Sequence, residues 1–260
     1  MRHRLTGSGP PILFVHGIPT SGRLWDLMVP PLAGRFTCVV VDLPGFGESP
    51  PPAADDRDPA RLAAELEALR VELGFPRWHL VGHDAGATIA VHYAAAYPER
   101  VDRLVLMSSP VFPEFRPPWF FHLLRLPLAG DLAAPLLVLA MWNGGIQALV
   151  EHPSPETDAA LAAFRRPFRG LAGGRRLTWL VRWGDPVEVL GRTAALLPRV
   201  AAPTLLLHGR QDGAIPASFA ERAATIIPNA RAILFDSGHF LPLNRPAEIC
   251  RELENFFPLM

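Results

Sequence analysis

The chain has 260 residues, 49% of them hydrophobic, and its 25 basic and 25 acidic residues give a formal net charge of zero. This length fits one large domain with a sizeable core, or such a core with a small insert. Because no basic stripe or charge block occurs, we expect neither nucleic acid nor a membrane as a partner.

The compartment is predicted from three features of the chain. The longest apolar stretch, Leu132 to Trp142, is interrupted by Pro135 and is too short to span a bilayer. The first residues contain no apolar run of the kind found in signal peptides. Cys38 and Cys250 are far apart in predicted core elements, which favours reduced, structural thiols. We therefore predict a cytoplasmic protein, and the sequence predicts no oligomeric state.

Strand-like and helical patterns alternate along the chain. Apolar runs that predict strands lie at residues 11–17, 36–42, 77–82, 103–108, 203–209 and 231–236. Near-continuous apolar strands are typical of a parallel sheet that is covered by helices on both faces. A helix is predicted over 59–73, with Asp58 as N-cap, Pro59 in the first turn and Gly74 after its end.

The alternation stops after Pro110 and resumes at Pro203. The segment between them has helical patterns, is rich in Trp and Pro, and contains no clear strand. We predict a core formed by 1–110 and 199–260, and a helical cap, 111–198, inserted over the carboxyl edge of the sheet. Sheets of this kind bind ligands at that edge. A separate helical domain is the alternative.

Residues 80–90, LVGHDAGATIA, predict a buried strand, a sharp turn between two glycines and a helix of small residues. This strand–turn–helix is the context that a nucleophile elbow requires. Asp84 would project its carboxylate at the tip, next to the backbone N–H of Ala85 at the start of the helix. In the alternative interpretation Asp84 only caps that helix.

Three other loops supply groups that suit Asp84. HGRQDG, 208–213, places Asp212 just beyond a predicted strand, and DSGHF, 236–240, places His239 beyond the next. We predict His239 as a general base that Asp212 orients, the alternative being an ordinary surface histidine. FVHGIPTSGRLW, 14–25, places the N–H of Ile18 opposite that of Ala85 as a second oxyanion donor, the alternative being an ordinary loop.

These motifs resemble the α/β-hydrolase superfamily over nearly the whole chain, in order and spacing: HGIPTSGRLW, DLPGFGES, LVGHDAGA, HGRQDGAIP and SGHFLPLNRPAEI. The resemblance implies an α/β-hydrolase fold, a mostly parallel sheet flanked by helices with an inserted helical cap. An aspartate at the elbow is similar to the branch of haloalkane dehalogenases and epoxide hydrolases. That branch implies an alkyl ester on Asp84, which water activated by His239 hydrolyses. The implied partners are a small apolar substrate and water, with no cofactor and no metal.

The resemblance to dehalogenases implies N–H donors for the departing halide. Two positions that supply them in that family hold Ala85 and Ile18 here, which leaves donors in the cap as candidates. They are Trp119, Trp142, Asn143, Trp179 and Trp183. An indole N–H is a donor without acceptor character, although packing is the alternative role for each Trp.

Epoxide hydrolases are implied to use tyrosines in the cap. The two tyrosines of this chain, Tyr93 and Tyr97, lie on the helix after the elbow instead, so His122 or His152 would have to substitute. We therefore predict a haloalkane dehalogenase-like hydrolase first and an epoxide hydrolase second. A non-hydrolytic enzyme of this fold and a binder of apolar small molecules remain open.

Overall fold

The computed structural model describes residues 1–51, 58–182 and 185–258. Within these ranges seven strands form one sheet in the order β1-β3-β2-β4-β5-β6-β7. The strands are β1 Arg2–Thr6, β2 Pro11–Val15, β3 Thr37–Asp42, β4 Trp78–His83, β5 Val101–Met107, β6 Thr204–Gly209 and β7 Ala230–Phe235. β1 is antiparallel to β3, and the other neighbouring pairs are parallel. The prediction of a mostly parallel sheet is confirmed.

Every residue of β2, β4 and β6 is buried, as the continuous apolar runs predicted. β1 was not predicted, because its sequence RHRLT is mostly polar. It lies at the edge of the sheet, where its residues are exposed or half-buried and pair only with β3. Cys38 in β3 and Cys250 in the last helix are both buried and unpaired.

Helices flank the sheet and fill the long segment after β5. They are α1 Val29–Leu32, α2 Pro59–Glu72, α3 Ala85–Ala96, α4 Trp119–Arg125, α5 Ala129–Ala140, α6 Pro155–Arg165, α7 Gly170–Val181, α8 Pro186–Leu196, α9 Ser218–Ile226, α10 Leu241–Asn244 and α11 Pro246–Phe256. The predicted N-cap of α2 is confirmed, since Oδ1 of Asp58 accepts a hydrogen bond from the N–H of Ala60 at 2.8 Å. Gly74 follows the helix with a φ of +73°.

The segment between β5 and β6 holds α4 to α8 and no strand in the part of it that the structure describes. α4, α5 and α7 pack on one another. α8 packs against α3 behind the sheet, where Nε2 of His92 lies 3.0 Å from Oγ1 of Thr193. The division into a core and a cap at 110/111 and 198/199 stays a prediction.

α5 continues through a π turn, Met141–Gly145, and a 3-10 turn, Gln147–Leu149. By length and composition the 21-residue helix Ala129–Leu149 is apolar enough to cross a membrane, since an 18-residue window of it has a mean hydropathy of 1.5, and 22% of that window is buried. The apolar stretch Leu132 to Trp142, which was predicted to be too short to span a bilayer, lies within this longer helix, and Pro135 lies inside it. Ala134, Val138 and Trp142 are buried, so one side of this helix belongs to the packed protein.

Candidate active site

Asp84 lies in the sharp turn between β4 and α3, with a φ of +52° and a ψ of −124°. A positive φ at a residue other than glycine costs about 1–3 kcal/mol and persists only where the surroundings enforce it. Gly82 and Gly86 allow β4 and α3 to approach each other closely on either side of Asp84. A β carbon at Gly82 would lie 2.6 Å from the carbonyl oxygen of Gly86, and one at Gly86 would overlap the carbonyl oxygen of Val15.

The carboxylate of Asp84 makes no capping hydrogen bond to α3. Its Oδ1 instead accepts a hydrogen bond from the backbone N–H of Ile18 at 2.8 Å. The loop after β2 can approach this closely because residue 17 is glycine, and a β carbon at Gly17 would overlap the side chain of Asp84. The geometry therefore argues against the helix-cap interpretation and places the Ile18 N–H where the sequence predicted it.

The surroundings of Asp84 act on its charge in opposite directions. Burial raises the pKa of Asp84, while His239 and the N–H groups of Ala85 and Ile18 act to lower it. The net effect is a raised pKa. Two backbone N–H groups thus favour negative charge on the oxygens of a largely buried Asp84.

His239 follows β7 and Asp212 follows β6, and at the edge of the sheet that carries Asp84 the two side chains meet each other. Nδ1 of His239 lies 2.8 Å from Oδ2 of Asp212, and Nε2 lies 4.0 Å from Oδ2 of Asp84. The N–H groups of Ala214 and Ile215 donate to Oδ1 of Asp212 at 2.8 and 3.0 Å and fix that carboxylate. When Nδ1–H donates to Asp212, the unprotonated Nε2 faces Asp84.

Asp212 favours the protonated form of His239. Burial lowers the pKa of His239, but the hydrogen bond and charge of Asp212, together with the charge of Asp84, outweigh burial, so this pKa is raised. Burial likewise acts to raise the pKa of Asp212, but hydrogen bonds from His208 and His239 outweigh it and hold this pKa well below its usual range. An ionised Asp212 therefore stabilises an imidazolium at His239.

Asp212→Asn is expected to lower the pKa of His239, because it removes the charge that raises it. Ester hydrolysis needs neutral His239, so the rate should fall as pH drops through this pKa. In the variant this acid limb should lie at lower pH, and the plateau rate should fall about 10²–10⁴-fold. Rapid-mixing kinetics of ester hydrolysis over a pH series measure both effects.

Asp236→Asn is the matched control for that variant, since Asp236 is an exposed carboxylate just before His239 and pairs with Arg210 at 3.5 Å. We expect its pH profile to match that of the unaltered protein. An acid limb that stays in place in Asp212→Asn would contradict the role given to Asp212.

Sequence reasoning missed two residues that hold the backbone of His239. Nε2 of His83 lies 2.9 Å from the carbonyl oxygen of His239, and Oγ of Ser108 donates to the same oxygen at 3.0 Å. Burial lowers the pKa of His83 to about 3, so the ring is neutral and donates from Nε2. The available signal was a histidine directly before Asp84, at the end of a buried strand.

A further missed group is Glu151, from the segment before α6. Its Oε1 accepts hydrogen bonds from Oγ of Ser237 at 2.8 Å and from the N–H of Gly238 at 2.5 Å. Its Oε2 pairs with Arg245 at 3.0 Å. Glu151 therefore ties the inserted segment to the loop that carries His239.

The Gly-rich turn DLPGFGES has a structural role. Asp42 accepts hydrogen bonds from the N–H groups of Gly22 at 2.7 Å and Glu48 at 2.9 Å, so it braces two loops. His16 performs a similar task, with Nε2 accepting from the N–H of Leu43 at 2.9 Å. Burial lowers the pKa of His16 to about 4, which keeps the ring neutral.

A cavity of about 450 Å³ opens above Asp84, between the sheet edge and helices α4 and α8. Most of its lining is apolar: Ile18, Ala85, Pro110, Phe115, Pro117, Pro118, Phe121, Val181, Pro186, Val187, Val189 and Leu190. A cavity of this size and polarity suits a small apolar molecule. Within the described ranges, no group of three or more His, Cys, Asp or Glu side chains is arranged to hold a metal ion.

Of the residues predicted to contact the leaving group, His122 lines this cavity. Trp119 does not, and its side chain is 73% exposed. Trp142 is buried elsewhere, with its ring centroid 6.0 Å from that of Phe168. The indole of Trp119 therefore lies on the surface, the indole of Trp142 packs between helices, and neither belongs to the described lining of the cavity.

Asn143 and Trp179 also lie away from the described lining. Asn143 is exposed on the π turn, and Trp179 packs on Gly45, where a β carbon would lie 2.9 Å from the indole ring. Trp183 is outside the described residues. Tyr93 and Tyr97 do not line the cavity either, and the hydroxyl of Tyr93 donates to Glu67 at 2.7 Å.

A family model for the alpha/beta hydrolase fold matches residues 10–246. The chain belongs to this family. An uncharacterized protein of Mycobacterium tuberculosis is 31% identical to this α/β-hydrolase over 97% of the chain and 76% of the relative. A pimeloyl-[acyl-carrier protein] methyl ester esterase of Nitrosomonas europaea is 32% identical over 94% of each chain.

Solved structures similar to this α/β-hydrolase include a haloalkane dehalogenase and an epoxide hydrolase. The dehalogenase DbeA from Bradyrhizobium elkani is 27% identical, with a TM-score of 0.81 over 98% of this chain and 92% of that one. A putative epoxide hydrolase from Pseudomonas aeruginosa is 23% identical, with a TM-score of 0.79 over 98% and 90%, which shows the fold alone. These are the two groups named by the resemblance.

Proposed function

We propose that this α/β-hydrolase uses Asp84 as a nucleophile and hydrolyses the resulting alkyl ester with water activated by His239. One arrangement carries the proposal. A carboxylate at the elbow faces the Ile18 N–H at 2.8 Å on one oxygen and the Asp212-oriented ring of His239 at 4.0 Å on the other. Simple binding of an apolar molecule needs no histidine aligned by a second carboxylate.

A carboxylate nucleophile suits an sp³ carbon that carries a leaving group. The ionised carboxylate is itself the nucleophile, so it needs no base for the first step, and the N–H groups of Ile18 and Ala85 together with His239 favour the ionised form against the effect of burial. In that step Oδ2 of Asp84 forms a bond to the carbon, and the leaving group departs on the opposite side with the bonding electrons. Oδ1 remains on the Ile18 N–H and becomes the carbonyl oxygen of the ester.

In the second step Nε2 of His239 takes a proton from water, and the resulting hydroxide attacks Cγ of Asp84. Negative charge develops on Oδ1, where the N–H groups of Ile18 and Ala85 stabilise it. Asp212 stabilises the imidazolium. Collapse of the intermediate breaks the bond between Cγ and the alkyl oxygen, and the proton from His239 leaves with the alcohol.

Haloalkanes are the first substrate class that we propose. The support is the largely apolar cavity above Asp84 together with the similarity to haloalkane dehalogenase structures at 27% identity. A short bromoalkane fits an apolar cavity and reacts along an in-line path to Oδ2. Bromide, unlike an alkoxide, leaves without a proton.

Epoxides are the second class, and His122 is the observation that favours them. Opening an epoxide produces an alkoxide, which a nearby acid has to protonate. His122 is the predicted donor that lines the cavity, and its imidazole can carry that proton.

His122→Ala separates the two substrate classes. For a haloalkane hydrolase we expect bromide release within about twofold of the unaltered protein, because the leaving group needs no acid. For an epoxide hydrolase the same change should slow diol formation about 10²-fold or more. Bromide release and diol formation are measured side by side on short bromoalkanes and aryl epoxides.

His152→Ala is the matched control, since His152 is an exposed histidine of the same insertion that contacts Arg245. Neither activity should change in this variant. If the protein turned over epoxides and not bromoalkanes, and His122→Ala lost this activity while His152→Ala kept it, the epoxide proposal would replace the haloalkane proposal.

A further inference from the structure

One side of α5 is apolar and faces outward. Its leucines Leu128, Leu132, Leu136 and Leu139 are 79%, 81%, 71% and 48% exposed, and we call them the leucine face. They recur every three or four residues, so they lie along one side of the helix. Soluble proteins seldom leave such a continuous apolar surface uncovered unless it meets a partner or a membrane.

Exposed apolar side chains are concentrated near this face. Trp119, at the start of α4, is 73% exposed, and Leu126, in the turn between α4 and α5, is 54% exposed. Outside the segment between β5 and β6, Leu5 and Val71 are the large hydrophobic residues of comparable exposure among those described. The concentration is therefore a property of the inserted helices.

The leucine face carries no uncompensated charge, but cationic side chains lie beside it. Asp131 is the one charged residue between 126 and 150, and it pairs with Arg182 at 3.0 Å. The sequence from 159 to 184 contains six arginines and no acidic residue. The net charge of the whole chain is zero, so it does not reveal this local excess of positive charge.

α7, which carries Arg175 and Arg176, packs against α5. The two helices pack closely, since a β carbon at Gly174 would lie 3.1 Å from the ring of Pro135. Arg175 on this helix and Arg169 directly before it are exposed, and no ion pair joins either to another described residue. An apolar face flanked by unpaired arginines is complementary to the surface of an anionic bilayer.

The mouth of the cavity lies in the same region. Pro117 and Pro118, directly before Trp119, line the cavity above Asp84. So does Val187, which is 54% exposed. Apolar surface therefore continues from the outside of the inserted helices to the nucleophile.

We propose that the leucine face and Trp119 dock on an anionic lipid surface, and that apolar substrate dissolved in the lipid enters the cavity from there. The substrate route rests on the proposed function, whereas docking needs no turnover. α5 lies on the surface and does not span the bilayer, because its other side holds Val138 and Trp142 in the packed insertion. A twofold dimer through this face would place the same arginines on both sides of the interface.

The experiment measures flotation of the full chain with vesicles of phosphatidylcholine, with and without phosphatidylglycerol. The unaltered protein should float with the anionic vesicles and far less with the neutral ones. Leu132→Glu with Leu136→Glu should lower the partition coefficient about tenfold or more. Val71→Glu, which places the same charge at an exposed apolar residue of α2, should bind like the unaltered protein.

Several outcomes would overturn the proposal. They are absence of flotation with either vesicle, equal binding to neutral vesicles, or equal loss in Val71→Glu. A dimer in sedimentation that the double variant abolishes, without vesicle binding, would make the face an interface between copies. Because Asp84→Asn should bind vesicles normally, a failure of docking is distinguishable from a failure of the chemistry. Unaltered thermal unfolding of the double variant confirms that it folds.

Discussion

His239→Ala is expected to trap an alkyl ester on Asp84 when the protein meets a short bromoalkane. The first step uses only the carboxylate, so it should proceed, with release of one equivalent of bromide. The second step needs Nε2 of His239, so turnover should fall about 10³–10⁴-fold. Intact and peptide mass spectra should show the alkyl group, without bromine, on the peptide that contains Asp84.

The form of the adduct also reports the leaving group. An adduct that retains the whole epoxide, and none from bromoalkanes, would establish epoxide opening. His152→Ala is the control, because it removes an exposed imidazole near the same loop and should turn over without accumulating ester. Normal turnover by His239→Ala would contradict the mechanism. Absence of adducts from both substrate classes would favour a non-hydrolytic reaction or simple binding.

The sheet could be predicted from the sequence because each buried strand is a continuous apolar run. β2, β3, β4, β6 and β7 begin and end within one or two residues of the predicted bounds. The glycines around Asp84 predicted the elbow for a similar reason, since few other turns require Gly82 and Gly86 together. β1 could not be found this way, because an edge strand with polar side chains has no apolar run.

Side chains from the insertion could not be placed from the sequence. Trp142 and Trp119 carry the same donor, but packing of one helix on another buries the first and exposes the second. His122 reaches the cavity because α4 lies over the edge of the sheet. No local sequence pattern predicts this placement of α4. Contacts such as His83 with His239, 156 residues apart, and Glu151 with Ser237, 86 residues apart, depend on the finished fold.

Asp84→Asn is expected to abolish ester formation and yet to leave the protein as stable as before, or more stable. The amide oxygen can still accept from the N–H of Ile18, asparagine tolerates a positive φ well, and a buried charge disappears. Activity should fall about 10³–10⁴-fold or more, because an amide is a poor nucleophile toward carbon.

The pKa of Asp84 determines how the difference in Tm between the variant and the unaltered protein changes with pH. Burial raises the pKa of Asp84 in the folded protein above that of the unfolded chain. The folded state therefore binds this proton more tightly, and the contribution of Asp84 to stability declines as pH rises from the unfolded pKa through the folded pKa. The amide side chain of the variant cannot titrate. Thermal unfolding over a pH series should thus show the Tm advantage of the variant growing from acid toward neutral pH.

Asp58→Ala is the matched comparison, because Asp58 is a carboxylate that does cap a helix, through the N–H of Ala60 at 2.8 Å. Losing such a cap costs about 1 kcal/mol, which corresponds to a Tm lower by about 2–4 °C in a chain of this size. If Asp84→Asn lowered the Tm by a similar amount at every pH, the carboxylate would be supporting α3. A preserved or raised Tm with lost activity means that the fold maintains a strained, buried charge at the elbow for its chemistry.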